Sequence, residues 1–401
     1  MKHQKRNRWL GYTVAGLAIV CGSPVWADVS VDAQLPAGNI VCERVEGDQV
    51  YLHQERRGSP QWWFYWAFRV CGAEGRTLTF HFTDGAPVGT RGPAVSYDQG
   101  LNWQWLDKDF AGNRFTFTFG PAAADIRFAF GMVYTQRDWE RFMAPYTGSP
   151  HVQQGRLAVT RKGRGVEKLR LGCLNAAPRS RVLLTARHHA CEMMADYVLE
   201  GIISGVLAED EGGRWLRQNV EFLVIPFMDK DGVEDGDQGK GRAPRDHNRD
   251  YDKTSVHIET AAMREQIPLW AGDTLRVFLD LHCPYIRGKH NEWVYQVGSA
   301  DTNIWQQQQI FGRLLEQSRP DPLCYRQEDD LPRGVAWNTS ANYAQGMSAV
   351  RWVSTLPGIR LAGSVEIPYA TANGAAVTAE TARGFGRNMA HALKRYLENA
   401  P

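Results

Sequence analysis

Short aromatic and apolar runs, separated by glycine- and proline-rich breaks, fill the first third of the chain. Residues 62–70 are aromatic and β-branched over the length of a strand, and residues 78–82 and 115–119 alternate apolar with polar side chains. A period of two is typical of strands with one buried face. The runs therefore predict an all-β sandwich domain over residues 28–150. An exposed aromatic face that binds sugars or peptides is the alternative, and core packing is favoured.

From about residue 151 the pattern changes to continuous apolar runs that alternate with amphipathic segments. The predicted strands are residues 181–186, 220–227, 275–281 and 363–367, and the predicted helices are residues 191–206 and 379–397. Strands that alternate with helices predict a mostly parallel or mixed sheet. Residues 151–401 are therefore expected to form an α/β domain in which helices flank a mixed sheet.

Polar residues lie where three of these segments end. His189 and Glu192 follow the strand 181–186, a polar loop spans residues 245–251, and His282 closes the strand 275–281. Ligand sites in α/β sheets gather outside the carboxyl ends of the strands. We therefore expect these polar groups to share one site.

The histidines and the glutamate have the chemistry of a zinc site. His189 and Glu192 are three residues apart at a predicted helix start, so both side chains can converge on one ion, and His282 would join them from a neighbouring strand. Three protein ligands leave a position for water, whose pKa bound zinc lowers to about 7. His188 is the alternative to His189, and a polar helix cap beside a hydrogen-bonded histidine is the non-metal alternative. Asp280 is expected either to orient a histidine ligand or to cap a loop.

Composition narrows the functional classes. The chain has 46 basic and 44 acidic residues, a net charge of +2 and 43% hydrophobic residues. The hydrophobic content predicts a packed globular protein. A nucleic-acid-binding protein needs a concentrated basic surface, which this balance does not indicate. We expect no nucleic-acid partner.

The first 27 residues are typical of an export signal. Four basic residues among the first eight precede an apolar stretch at residues 10–20, and residues 25–27 offer a cleavage site. The apolar stretch is shorter than the about 20 residues that span a bilayer. We expect residues 1–27 to be a signal peptide and the product to be periplasmic or secreted, without membrane attachment.

Five stretches, taken in order, resemble the M14 family of zinc carboxypeptidases. They are residues 186–192, 225–233, 246–251, 279–282 and 364–366. The branch that the chain resembles most is the cytosolic-carboxypeptidase-like one, in which a β-sandwich precedes the catalytic domain. The resemblance implies a zinc carboxypeptidase catalytic domain over residues 151–401, with one Zn²⁺ per chain. It also implies hydrolysis of the C-terminal peptide or isopeptide bond of a peptide with a free C-terminal carboxylate.

The resemblance assigns a role to each matching residue. The implied zinc ligands are His189, Glu192 and His282. Asn248 and Arg249 match the pair that binds the terminal carboxylate of the substrate, a group that a guanidinium can hold bidentately. Glu366 matches the general base, which takes a proton from the attacking water.

Other positions match the family pattern less closely. An arginine upstream of the Asn-Arg pair polarises the scissile carbonyl in this family. Arg242 and Arg245 both compete for that role; Arg242 is preferred, and a solvated loop position is the alternative for each. Tyr343 is the candidate for a tyrosine near the leaving group, with a core tyrosine as the alternative. His247 departs from the pattern because it replaces the usual apolar residue ahead of the Asn-Arg pair.

Arg351 is the candidate specificity residue. In this family, a residue between the last loop and the base-bearing strand lies at the bottom of the specificity pocket. An arginine among apolar neighbours is costly to bury without an anion. A pocket arginine would therefore favour acidic C-terminal residues, such as glutamate or a diamino acid of cell-wall peptides. A surface position, or pairing with a protein carboxylate, is the alternative.

Six cysteines follow residue 27. An even number in an oxidising compartment permits disulfides. Cys191 and Cys283 each lie close to a zinc-ligand motif residue and are predicted to pair, and Cys42 with Cys71 is a second predicted pair. Buried thiols are the alternative.

Two other functional classes compete with the peptidase. One is a zinc amidohydrolase or deacylase on a related scaffold, which would share the zinc ligands but is disfavoured by the Asn-Arg pair and the leading sandwich. The other is a non-catalytic relative that binds peptides or glycans, which is disfavoured because Glu366 accompanies a full set of ligands.

Overall fold

The computed structural model describes residue 1 and residues 28–59, 63–318 and 322–399. Almost all of the predicted signal peptide therefore lies outside the described residues. Within the described ranges, no helix is both long and apolar enough to cross a membrane.

Two five-stranded sheets form the N-terminal region. In chain order the strands are β1 (Ser30–Asp32), β2 (Val41–Glu46), β3 (Gln49–His53), β4 (Ala67–Cys71), β5 (Thr77–Phe82), β6 (Ala94–Ser96), β7 (Gln104–Trp105), β8 (Phe110–Ala111), β9 (Arg114–Thr118) and β10 (Ile126–Ala129). One sheet has the order β1-β4-β10-β6-β7 and the other has the order β2-β3-β5-β9-β8.

Aromatic side chains from both sheets meet in the core of this region. Phe128 lies on β10 of one sheet, and Phe80 and Phe115 lie on β5 and β9 of the other. The Phe80 and Phe115 rings stack with their centroids 4.7 Å apart, and they lie 5.5 and 5.2 Å from the Phe128 ring. The packing confirms the predicted sandwich and places these aromatic residues in its core.

A mixed seven-stranded sheet forms the second region. Its strands are β11 (Val152–Val159), β12 (Gly165–Gly172), β13 (Ser180–Ala186), β14 (Val220–Ile225), β15 (Leu275–His282), β16 (Tyr295–Val297) and β17 (Leu361–Glu366), and a hairpin of β18 (Thr371–Ala372) and β19 (Ala375–Ala376) follows. The order is β11-β12-β14-β13-β15-β17-β16. The central pairs β14-β13, β13-β15 and β15-β17 are parallel, and the outer pairs are antiparallel.

Helices cover both faces of this sheet. The α-helices of the described residues are α1 (Gln136–Met143), α2 (Met194–Leu207), α3 (Glu211–Asn219), α4 (Lys230–Asp235), α5 (Ile258–Ala271), α6 (Thr302–Glu316), α7 (Ala349–Val353) and α8 (Ala379–Glu398). Val182 and Leu184 of β13 pack in the apolar cluster that contains α2 and α8, whereas Leu183 packs in the cluster that contains α5. Burial on both faces explains why these strands are continuous apolar runs in the sequence.

Two predicted elements differ from the structure near the loops that form the site. The predicted helix 191–206 begins only at Met194, because the preceding residues form a turn. Phe64 and Tyr65 are buried but precede β4 and do not belong to it. Their backbone N–H groups donate to Oε1 of Gln238 at 2.7 and 3.0 Å, not to a neighbouring strand.

The structure contradicts both predicted disulfides. Cys42, Cys71, Cys191 and Cys283 are unbridged. Cys42 belongs to β2 and Cys71 to β4, which lie in different sheets. The buried Cys191 thiol lies 3.4 Å from the Tyr369 hydroxyl.

Candidate metal centre and active site

The carboxyl ends of three adjacent parallel strands bring the predicted site residues together. His189 and Glu192 follow β13, His282 ends β15 and Glu366 ends β17. In the register of the sheet, His282 pairs directly with Glu366. The pairing of β15 with β17 therefore places a proposed ligand next to the proposed base at one edge of the sheet.

His189 and Glu192 lie on a turn that precedes α2. The turn is closed by a bond in which the Glu192 N–H donates to the His189 carbonyl at 3.2 Å. The sequence analysis expected a helix start to bring these two side chains together, but in the structure a turn does so.

The three predicted ligands form one compact cluster. Nδ1 of His189 lies 2.8 Å from Oε1 of Glu192, and Nδ1 of His282 lies 2.8 Å from Oε2 of the same carboxylate. Glu192 is fully buried, and His282 is almost so. One ligand atom from each residue lies within 4.8 Å of the others, the spacing of groups that can share one metal ion.

Two further carboxylates orient the histidines from the far side of each ring. Oδ2 of Asp246 lies 3.2 Å from Nε2 of His189, and Oδ2 of Asp280 lies 2.7 Å from Nε2 of His282. Burial opposes ionisation of both aspartates, but the neighbouring histidines lower the pKa of each below its ordinary value. These contacts leave Nδ1 of each histidine as the ligand atom, the arrangement typical of metal-binding histidines. Asp280 thus has the contact that the orienting role requires, and Asp246, which the sequence reasoning missed, has the equivalent contact with His189.

His188, Asp280 and His282 form a second, overlapping cluster of the same size. Both ring nitrogens of His188 already have partners: Nδ1 lies 2.8 Å from Oδ1 of Asp280, and Nε2 lies 2.7 Å from the Tyr251 hydroxyl. The Asp280 carboxylate also accepts a bond from Thr185 at 2.7 Å. Glu192 contacts His189 and His282, whereas His188 contacts Asp280 and Tyr251, so the geometry favours His189 over His188 as the ligand.

Glu366 has the environment of a proton acceptor beside this cluster. Its side chain is buried, and among the described residues no hydrogen-bond partner reaches its Oε2 atom. Burial raises the pKa of the carboxyl above its ordinary value, an effect that nearby His282 and Lys240 oppose. An orphaned buried carboxylate oxygen is costly unless a ligand or a water uses it, so this atom fits a group that acts on a bound molecule.

Asn248 and Arg249 lie on a 3₁₀ turn at residues 247–249, next to the ligand cluster. Nδ2 of Asn248 lies 3.2 Å from Nε2 of His282, and its Oδ1 accepts a bond from the N–H of Ala349 at 2.9 Å. The Arg249 guanidinium lies over the Tyr343 ring, with its Cζ atom 5.0 Å from the ring centroid. The structure therefore brings Tyr343 together with Arg249.

The structure differs from the expectation for Arg242. Its guanidinium is bound by Asp229, with Nη2 to Oδ2 at 2.5 Å, and by Asp237, with Nη1 to Oδ2 at 2.9 Å. Arg245 is likewise bound to Asp250 at 2.9 Å. Two carboxylates of the protein thus pair with Arg242, and its role at the scissile carbonyl stays a prediction.

One cation that contacts the ligand cluster is Lys240, which the sequence reasoning did not single out. Its Nζ atom lies 2.6 Å from Oε1 of Glu192 and donates to the carbonyl of Cys283 at 2.9 Å. Burial lowers the pKa of the ammonium, but Glu192 and the other acidic groups around it together raise the pKa above its ordinary value. The sequence shows three basic residues within positions 240–245, but nothing in the neighbouring sequence indicates which of them contacts the ligand cluster.

Arg351 is exposed on α7. No hydrogen bond or ion pair within the described ranges joins it to the ligand cluster. It lies two residues after Ala349, whose N–H donates to Asn248. Its role in specificity stays a prediction.

His247, the departure from the family pattern, is buried beside Glu259. The rings of His247 and His257 stack with centroids 3.6 Å apart, and Nε2 of His247 lies 3.9 Å from Oε2 of Glu259. Burial lowers the pKa of His247 to about 3 and raises the pKa of Glu259 to about 7. Both side chains are therefore mainly uncharged between about pH 3 and pH 7.

Glu259→Gln should make the protein more stable at pH 8 but not at pH 4. The native state holds the Glu259 proton up to about pH 7, whereas the unfolded chain releases it near 4.5. The wild type therefore loses up to about 3 kcal/mol as the pH rises through this window, and glutamine removes that loss. Thermal unfolding at both pH values measures the effect, with exposed Glu328→Gln as the control. Equal or lower stability of Glu259→Gln at pH 8 would show that the ionised carboxylate stabilises the fold.

Two family models match the chain. Residues 31–130 match the cytosolic carboxypeptidase N-terminal domain, and residues 150–273 match the zinc carboxypeptidase family, peptidase M14. The chain belongs to the M14 family of zinc carboxypeptidases. The family implies zinc, and two imidazole nitrogens with one carboxylate are a donor set that suits this ion.

Curated relatives of this M14 family member match it in part. An uncharacterized protein of Zymomonas mobilis is 26% identical over 213 residues, which cover 51% of this chain and 54% of that protein. Cytosolic carboxypeptidase 3 of Bos taurus is 25% identical over 197 residues, which cover 44% of this chain and 19% of that protein. In both cases the chain covers less than two thirds of the relative's length.

Solved structures share the fold of this M14 family member over most of its length. The metallo-carboxypeptidase from Burkholderia cenocepacia superposes with a TM-score of 0.76 at 21% identity, covering 92% of this chain and 99% of that one. The metallo-carboxypeptidase from Pseudomonas aeruginosa in complex with (2-guanidinoethylmercapto)succinic acid gives a TM-score of 0.75 at 19% identity, with the same coverage. At this identity the likeness shows the fold.

Proposed function

We propose that the protein is an exported zinc metallocarboxypeptidase that hydrolyses the C-terminal peptide or isopeptide bond of peptides. One observation carries the proposal. The Nδ1 atoms of His189 and His282 flank the two oxygens of the Glu192 carboxylate, and a buried glutamate and an Asn-Arg pair border that cluster.

Each group at the site has a task in this reaction. One zinc per chain, when bound, supplies a Lewis acid that lowers the pKa of a water molecule to about 7. Glu366 accepts the proton of the attacking water, a task that suits a carboxylate with a raised pKa. Asp246 and Asp280 hold the histidine ligands in one orientation and one tautomer.

The Asn-Arg pair gives the enzyme its preference for a chain end. Arg249 is half-buried, so its guanidinium is accessible to a substrate while the Tyr343 ring supports it. A guanidinium forms strong paired bonds with a carboxylate. This arrangement supports recognition of a free terminal carboxylate and disfavours an internal peptide bond.

A preference for acidic C-terminal residues is the finer part of the proposal. Arg333 also lies over the Tyr343 ring, with its Cζ atom 4.9 Å from the centroid, so two guanidinium groups flank this tyrosine. Arg351 lies on the exposed side of the helix that begins beside Asn248. A second guanidinium beside the carboxylate-binding Arg249 supports a preference for acidic C-terminal side chains, including those of cell-wall peptides.

Arg249→Met should reduce kcat/KM for peptides with a free C-terminus by about 100-fold, since one truncated charge pair costs about 2–5 kcal/mol. The same peptides with an amidated C-terminus should be poor substrates of both proteins, with similar kcat/KM. The assay uses purified mature protein and peptides ending in glutamate, lysine and phenylalanine, with and without a zinc chelator. Exposed Arg326→Met is the matched control.

The same panel separates the competing functions. Cleavage of N-acyl amino acids in preference to peptides would favour the deacylase, and absence of hydrolysis of every substrate would favour a binding protein. Equal rates for glutamate, lysine and phenylalanine termini, unchanged in Arg351→Ala and Arg333→Ala, would refute the acidic preference. Cell fractionation with an antibody tests export, because a full-length cytoplasmic product would contradict it.

A further inference from the structure

Lys240 lies beside the proposed zinc ligands but is not one of them. Its ammonium lies 2.6 Å from the Glu192 carboxylate, and its charge also acts on Glu366. The Lys240 side chain is 28% exposed, so part of it is accessible to solvent. A cation in direct contact with a proposed ligand is close to the position where a substrate would bind.

The loop holds two other cations, and structural carboxylates neutralise both. Arg242 is paired with Asp229 and Asp237, and Arg245 is paired with Asp250. Lys240 has Glu192 as its close acidic partner, and that carboxylate is itself a proposed metal ligand. Among these three residues, Lys240 is therefore the one whose charge is available to a substrate.

The backbone around Lys240 is held in place by both regions of the protein. Ser59 of the N-terminal region donates to the carbonyl of Lys240 at 3.0 Å, and the N–H of Ala243 donates to the carbonyl of Gly58 at 2.7 Å. The carbonyl of Gln238 accepts a bond from the N–H of Cys191 at 3.0 Å. The loop is thereby fixed to the sandwich on one side and to the ligand turn on the other.

Gly239 allows the loop to pass directly over the ligand turn. Its φ of +81° is a conformation that side-chain-bearing residues rarely adopt, and a Cβ atom there would lie 2.3 Å from the backbone nitrogen of Ala190. Close approach at Gly239 brings the following residue to the metal ligands. The backbone conformation at Gly239 therefore determines where Lys240 lies.

We infer that the Lys240 ammonium is the cation that polarises the scissile carbonyl and stabilises the negative charge that develops on its oxygen. The inference rests on the proposed carboxypeptidase function and replaces Arg242 with Lys240 in that role. Lys240 donates hydrogen bonds and keeps its protons throughout, so it forms no covalent bond to the substrate. A fixed donor aimed at developing charge typically contributes about 100- to 1,000-fold to kcat.

Lys240→Met removes the charge and keeps much of the side-chain volume. We expect kcat to fall about 100- to 1,000-fold with KM changed little, because the interaction strengthens only in the transition state. A phosphinate peptide analogue, which carries a tetrahedral anion, should bind more weakly by a similar factor. Binding of the C-terminal amino acid product should not change. Lys240→Arg should recover part of the lost kcat, and the exposed Lys108→Met is the matched control.

Zinc binding gives a readout that does not depend on turnover. Lys240 and a bound zinc ion would compete for the Glu192 carboxylate. Lys240→Met should therefore retain zinc against a chelator at least as well as the wild type does. Loss of zinc in Lys240→Met, or a wild-type kcat with unchanged phosphinate binding, would overturn the inference. If the wild type hydrolyses no peptide, the proposed function fails, and the phosphinate comparison still decides whether Lys240 binds a tetrahedral anion.

Discussion

His189→Ala and His282→Ala should each lose zinc and peptide hydrolysis together. Each histidine contributes the Nδ1 atom that lies 2.8 Å from a Glu192 oxygen, so either change leaves two protein ligands. Catalytic zinc sites use three protein ligands. We therefore expect the zinc content to fall from about one ion per chain to a small fraction of that. Elemental analysis of dialysed protein, with turnover measured on the same samples, checks the expectation.

Two further histidine variants make this test specific. His53→Ala alters a partly exposed histidine of the sandwich that pairs with Glu43, and it should keep zinc and activity. His188→Asn alters the buried neighbour whose ring nitrogens bond Asp280 and Tyr251, so it should lower thermal stability while keeping zinc. If His188→Asn lost zinc and His189→Ala kept it, the ligand set would instead be the overlapping cluster around Asp280.

The strands were predictable because the hydrophobic pattern that marks each one lies within the strand itself. Continuous apolar runs mark β13, β14 and β15, which are buried on both faces, and alternation marks β5 and β9 of the sandwich. The conformation of residues 64 and 65 was not predictable in this way. Their N–H groups bond a glutamine side chain more than 170 positions away in the sequence, and no local pattern encodes that partner.

The candidate ligands were predictable for a topological reason, and the neighbouring cation was not. Polar residues at the ends of β13, β15 and β17 must converge when these strands are adjacent and parallel. Arg242 and Lys240, by contrast, lie two positions apart in one loop. Which of them faces the ligands depends on Asp229 and Asp237, which bind the arginine. That selection comes from side-chain pairing in the folded protein.

Glu366→Gln should keep the fold and the zinc but lose most of its turnover. Glutamine has almost the same shape as glutamate, and its side chain cannot accept a proton from water. Proton transfer of this kind is worth about 100- to 10,000-fold in rate, so kcat should fall by such a factor while KM changes little. Elemental analysis and steady-state kinetics on the same preparation measure both quantities, and the exposed Glu328→Gln is the matched control.

The pH profile distinguishes a base from a residue that only shapes the site. Burial holds the pKa of Glu366 above its ordinary 4.5, so the wild-type kcat/KM should fall on the acid side at a pH above that value. The residual activity of Glu366→Gln should lack this acid-side fall, because the titrating group is gone. A variant with near-wild-type turnover, or with the same acid-side fall as the wild type, would mean that another group accepts the proton.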